Sequence, residues 1–384
     1  MSTLPVSDPA PTTSPPPAAA GGNRMFWIDT LRVALTVLVL AHHCAVTYGN
    51  IPVWFYNETP SDPSAGLLDL LVIINQSFFM GLFFFISGYF TPGSVDRKGP
   101  GSFARDRLIR LGLPLLGFLL LLRPLASLHL WWNLPDRPEY PLFYVISWDP
   151  GPTWFLEVLL AFSLIYAGYR ALRGRRATPA AEGREPRKLG WWVAFGVMIG
   201  LIVITAAITV PWRQLVPDGS YWPVIGLPSP AYLPQYALMF AAGVLAARRQ
   251  WLQRMPGSLG WVGLALAVLA VLVVTPTMSA AGPVAASMAG SVGTSIMGVG
   301  LGAALLMLFR RVATGTGPVR RFASANAFMV YVIHPVILVA GALLIAGLTA
   351  PAIAKFAVLL LISVPACWLV AAALRRIPPV GKII

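Results

Sequence analysis

The sequence predicts an all-α, polytopic membrane protein of about ten transmembrane helices with both termini in the cytoplasm. Three observations carry this expectation. Hydrophobic residues make up 57% of the 384-residue chain, charged residues only 11%, and mean hydropathy is +0.72. A soluble domain is about 25% charged. Apolar runs of roughly 18 or more residues recur along the chain, each long enough to cross a bilayer as a helix. The basic residues fall almost entirely on one side of those runs. A membrane β-barrel would instead show short alternating segments, which are absent.

The spans are placed at 28–48, 67–90, 108–128, 153–170, 190–210, 228–247, 258–274, 285–309, 322–346 and 351–374. With the N-terminus inside, 24 of the 28 Lys and Arg fall on inner segments, seven of them within 170–188. Arg123, Arg137, Arg213 and Lys355 fall toward the outside. That asymmetry is the positive-inside rule of a multi-pass inner or plasma membrane protein. The net charge of +14 therefore reports topology and contact with anionic lipid headgroups, and no nucleic-acid partner is expected.

Residues 1–23 are rich in Pro, Ala, Ser and Thr and are expected to form a disordered cytoplasmic tail. No basic n-region or small-residue cleavage site precedes the first span, which reads as an uncleaved anchor. Residues 24–376 form one transmembrane domain, and 377–384 a short cytoplasmic tail with no soluble domain attached. The outer loops "NIPVWFYNETPSDPSAG" and "HLWWNLPDRPEYPLFYVISWDPGP" are aromatic, as interfacial segments or the mouth of a substrate site would be. Cys44 and Cys367 form no disulfide framework, and His42, His43, His129 and His334 have no metal-ligand spacing; no metal is expected.

The first span, "DTLRVALTVLVLAHHC", carries ionisable groups that cost about 2.5–3.5 kcal/mol each near a bilayer centre. At about 100° per residue, Asp29, Arg32, Thr36 and His43 share one helix face, with His42 about 100° away. The rise from Arg32 to His43 is about 16 Å. Such a stripe serves either to bind neighbouring helices or to perform chemistry, and intramembrane ionisable residues point to the second. One long ligand entering from the cytoplasm could touch both Arg32 and His43.

These residues resemble the membrane-bound acyltransferase 3 family, whose first helix carries Asp-x-x-Arg and a later His. Four further segments agree in order. "FFMGLFFFISGYF" (78–90) resembles the family's Phe-Phe-x-x-Ser-Gly-Phe helix, and "FARDRLIRLGLPLL" (103–116) its basic Arg-x-x-Arg segment, with Arg107 and Arg110 on the motif. "GPTWFLEVLLAFSLIY" (151–166) resembles the Trp-Phe-Leu helix, with Trp154 and Glu157, and "SANAFMVYVIHPVIL" (324–338) the late helix with Tyr331 and His334. The match spans about 25–375 and looks closer to the stand-alone branch that includes a glucan-succinylating protein. His42-His43 departs from the usual single His and leaves open which one reacts.

The resemblance implies an O-acyltransferase that takes an acyl group, acetyl, succinyl or similar, from cytoplasmic acyl-CoA to a hydroxyl of a carbohydrate or cell-envelope glycan. Acyl-CoA is then donor substrate, and no bound cofactor is expected. The expected donor-binding residues are Arg32, Arg107 and Arg110, whose guanidinium forks suit phosphate oxygens, with Ser87. His43 would act as general base or as acyl carrier, oriented by Glu157, with Asp29 on the same stripe; an ion pair from Glu157 to Arg123 is the structural rival. His42, Asn75, Trp154, Arg123, Tyr331 and His334 would face the acceptor, with Gln76 as Asn75's neighbour. A small natural product or lipid is an alternative acceptor. A transporter is the rival of another class, though no inverted repeat is visible.

Overall fold

A computed structural model describes residues 25–174, 188–223, 225–280, 282–315 and 317–383. The tail at 1–23 and most of the basic 170–188 loop lie outside these residues. Ten principal helices occur in chain order: α1 Phe26–Tyr48, α2 Ala65–Lys98, α3 Pro100–Trp132, α4 Trp154–Leu172, α5 Trp191–Leu215, α6 Leu233–Arg248, α7 Leu259–Ala280, α8 Pro283–Val312, α9 Pro318–Leu344 and α10 Ala352–Leu374. Among the described residues nine are long and apolar enough to cross a membrane. The exception is α6, whose 16 residues fall short of the predicted 228–247 because Pro230–Tyr232 forms a separate 3-10 turn and Tyr221–Trp222 pairs with Leu227–Pro228 in a small antiparallel ribbon. The last residues, 378–383, form a short helix.

Helix α2 sits centrally, packed against α1, α6 and α8. Its approach to α6 is set by two glycines. A Cβ on Gly88 would meet the Phe240 carbonyl, and one on Gly243 the Phe85 carbonyl. Small residues at such a crossing let backbones close to packing distance, which drives helix association where lipid tails remove the hydrophobic incentive. Facing outward, α3 presents Leu113, Leu116, Leu120, Leu121 and Leu125, each at least 45% exposed. An apolar face of that extent belongs against hydrocarbon.

Two π-helical stretches, Leu108–Gly112 and Phe118–Leu122, interrupt α3. Each widens a turn and rotates the downstream residues relative to an ideal α-helix. For the outer segment 50–64 the structure favours the second of the two expected readings, the mouth of a site, with Trp54 and Phe55 lining a cavity. Instead of lying at the interface the segment folds back on the bundle, with Phe55 and Tyr56 buried.

A candidate active site in two cavities

The polar stripe of α1 opens onto two cavities. The first, of about 250 Å³, is lined by Asp29, Arg32 and Thr36 together with Ser87, Arg107 and Tyr331. The second, of about 450 Å³, is lined by His42 and His43. Helical periodicity is why one face serves both. Residues three, four and seven apart stack along it, and the Thr36 hydroxyl is satisfied by the Arg32 carbonyl at 2.9 Å.

In the arginine cavity Arg32 lies 3.7 Å from Asp29 and 4.9 Å from the centre of the Phe90 ring. The Arg107 guanidinium lies 4.9 Å from the Phe103 ring and within electrostatic reach of Arg32. Two cations lining one cavity, each over an aromatic ring, have the chemistry to receive an anion with several oxygens.

In the histidine cavity the His43 ring stacks on Trp54, centroids 3.9 Å apart and planes 17° from parallel. The His334 ring lies 5.1 Å from His43, its plane 26° from parallel. His42 meets His43 edge-on at 5.3 Å and packs on Phe79 at 5.0 Å. His334 Nδ1 contacts the Tyr331 carbonyl at 2.6 Å, whereas its Nε2 and His43 Nδ1 are buried without partners among the described residues. Trp154 stacks on Tyr236 at 5.4 Å, and Gln76 donates to the Tyr236 hydroxyl at 3.2 Å. Phe55, Phe143, Tyr221 and Ser127 complete an aromatic and hydroxyl lining. Asp149 also lines this cavity. Burial pushes its carboxyl up from the usual range, against the opposing pull of the Gly151 N–H and Arg123.

Tyr331 and Phe155 line the arginine cavity, while Pro152 and Trp154 line the histidine cavity. The Tyr331 hydroxyl donates to the Pro152 carbonyl. Phe155 packs edge-on to Tyr331 at 5.9 Å. These side chains therefore stand between the cavities.

The structure thus gathers Asp29, Arg32, Ser87, Arg107 and Tyr331 in one cavity, and His42, His43, Trp154 and Arg123 in the other, with His334 beside His43. Three of the expected residues, Arg110, Glu157 and Asn75, are placed elsewhere. Arg110 is exposed and lines neither cavity, because the π-helical stretch begins between it and Arg107. Glu157 makes no hydrogen bond or ion pair to His43 or Arg123 among the described residues; the electrostatic neighbours of its carboxylate include Asp149, Tyr221 and Tyr331. Asn75 is buried away from the cavity and Gln76 lines it instead. Arg123 is 1% exposed and donates to the carbonyls of Asp149, at 2.6 Å, and Ser147, with its guanidinium over Tyr144. It fixes the loop before α4 while forming part of the cavity wall. His129 lies outside both cavities. Trp54, Tyr221 and Asp149 are cavity residues that sequence reasoning did not single out. The aromatic richness of the outer loops was their signal, without a register to choose among candidates.

The fold and the cavities define a multi-pass membrane protein built around a buried imidazole and a separate cationic pocket. Residues 25–372 match the acyltransferase domain model of the acyltransferase 3 family, and the chain belongs to that family. It is 24% identical over 224 residues to Glucans biosynthesis protein C of Shigella dysenteriae serotype 1, covering 56% of this chain and 57% of the relative. No solved structure matches the chain significantly.

Proposed function

We propose that the protein is an O-acyltransferase of the inner membrane that moves an acyl group from cytoplasmic acyl-CoA to a hydroxyl of a carbohydrate. The observation that carries this reading is the single α1 stripe, which presents Arg32 to a cationic cavity and His43 to an aromatic one. The nucleotide phosphates of the donor bind Arg32 and Arg107. Its thioester arm passes the Tyr331–Phe155 partition toward His43. Sugar rings offer apolar C–H faces to Trp154, Phe55 and Tyr221, and hydroxyls to Gln76 and Ser127.

His43 accepts the acceptor proton as the hydroxyl oxygen attacks the thioester carbonyl. The C–S bond breaks, the acyl ester forms, and the imidazolium returns the proton to the departing thiolate. The name of the Shigella relative refers to glucans, which supports a glycan acceptor. The test is acyl transfer by purified protein from radiolabelled acetyl-CoA and succinyl-CoA to a panel of glucans and other glycans. His43→Ala is expected to abolish transfer, and full activity in that variant would remove His43 from the reaction.

A further inference from the structure

We infer that Trp54 is a positioning residue for His43, whose indole face holds the ring and stabilises the imidazolium formed when the acceptor proton is taken. The inference rests on the role proposed for His43. A base that gains a proton among apolar helices needs something to stabilise the new charge. The expected carboxylate is missing. Among the described residues no Asp or Glu forms an ion pair or hydrogen bond with His43, and its Nδ1 has no partner.

The groups around the ring are His42 on α1, Phe79 beyond it on α2, Tyr331 and His334 on α9, and Gln76 and Arg123 in the cavity wall. None of these is an anion, and Arg123 is a cation. Asp149, the acidic group of the same cavity wall, accepts the Gly151 N–H at 2.7 Å, sits in the field of Arg123, and makes no ion pair or hydrogen bond with His43 among the described residues. Trp54 is the large aromatic surface in face-to-face contact, at 3.9 Å and 17°. Indole is the strongest of the side-chain π-faces toward a cation, and more so when water is excluded.

The segment carrying Trp54 is also fixed in place. Asn57 donates to the Val46 carbonyl at 3.0 Å and the Glu58 N–H to the Thr47 carbonyl at 2.9 Å. Both acceptors lie within about one turn of α1 after His43. Glu58 pairs with Lys355 at 2.5 Å, and Asp62 accepts the Ala352 N–H at 2.7 Å at the start of α10. Trp54 is thereby registered to the helix turn that carries the imidazole it covers. A surface aromatic at a bilayer interface has no need of such anchoring.

The test uses the full-length chain in lipid nanodiscs. Trp54 is replaced by Phe, by Leu, and by mono-, di- and trifluorinated tryptophan through stop-codon suppression. Fluorine withdraws electron density from the ring face with little change of shape, so it separates charge stabilisation from packing. Trp54→Leu is expected to lower kcat about thirty-fold and Trp54→Phe about five-fold, with KM for acyl-CoA unchanged. The logarithm of kcat should fall stepwise with fluorine number. A flat fluorine series, or equal kcat for Leu and Trp, overturns the inference. His43→Ala is measured alongside. Loss of transfer there with a flat fluorine series defeats only the Trp54 role, whereas retained transfer defeats the reading of His43 itself.

Discussion

Arg107 and Arg110 occupy equivalent places in the sequence motif but very different ones in the fold, and that difference makes a quantitative prediction. Arg107 lines the cationic cavity beside Arg32; Arg110 is exposed within the π-helical turn that follows it. A hydrogen bond to a charged group contributes about 1.5–3 kcal/mol, and each ~1.36 kcal/mol is tenfold. Arg107→Gln removes one such guanidinium, so KM for acyl-CoA should rise about ten- to hundred-fold. Since the proposed contact with the donor phosphates lies far from the reacting carbonyl, kcat should stay within about three-fold, the signature of lost uniform binding.

Arg110→Gln should change KM by less than about three-fold, as expected for an exposed charge. Arg32 and Arg107 line the same cavity, so the cost of replacing both should differ from the sum of the two single losses. Initial rates against acyl-CoA concentration, with CoA binding by calorimetry, provide the assay. Equal KM effects at 107 and 110 would refute assignment of the phosphates to this cavity.

Tyr331→Phe removes the hydroxyl that bonds the Pro152 carbonyl between the cavities; transfer should persist while acyl-CoA hydrolysis without acceptor rises about three- to tenfold, read as free thiol release. Gly88→Ala forces a Cβ onto the Phe240 carbonyl and should destabilise by about 1–3 kcal/mol, measured as a lower midpoint of thermal unfolding in detergent. Asp62 is held below the usual carboxylate range by Ser64 and the Ala352 N–H. Its contribution to stability is therefore present above the unfolded carboxylate value, about 3.9, and lost as pH falls through the lower folded value. Asp62→Asn should remove that part of the acid-side decline, visible as a smaller drop in midpoint between about pH 5 and pH 3 than in the parent protein.

Much of the molecule was legible from the residues alone, for a local reason. Hydrophobic length fixes a helix that must satisfy its own backbone in lipid, so span positions are set by composition. Predicted and observed boundaries agree closely for α1 and α10 and diverge where proline breaks the run, as at α6. The α1 stripe was legible because residue spacing in a regular helix fixes the angle between side chains.

What the sequence determined by itself is the membrane-spanning architecture and the alignment of Asp29, Arg32, Thr36 and His43 on one face. What the tertiary structure decided is which neighbours complete that face. Asn75 and Gln76 are adjacent in sequence, yet α6 places Tyr236 against the second, and Gln76 thus lines the cavity. The first π-helical stretch of α3 begins directly after Arg107, which lines the arginine cavity, and carries Arg110, which is exposed. Trp54 reaches His43 only because an irregular segment reverses after Gly49 and is pinned at Val46, Thr47, Lys355 and Ala352. Periodicity within one helix is a short-range property of the backbone. Contact between segments depends on the packing of the whole bundle, which no spacing along the chain encodes.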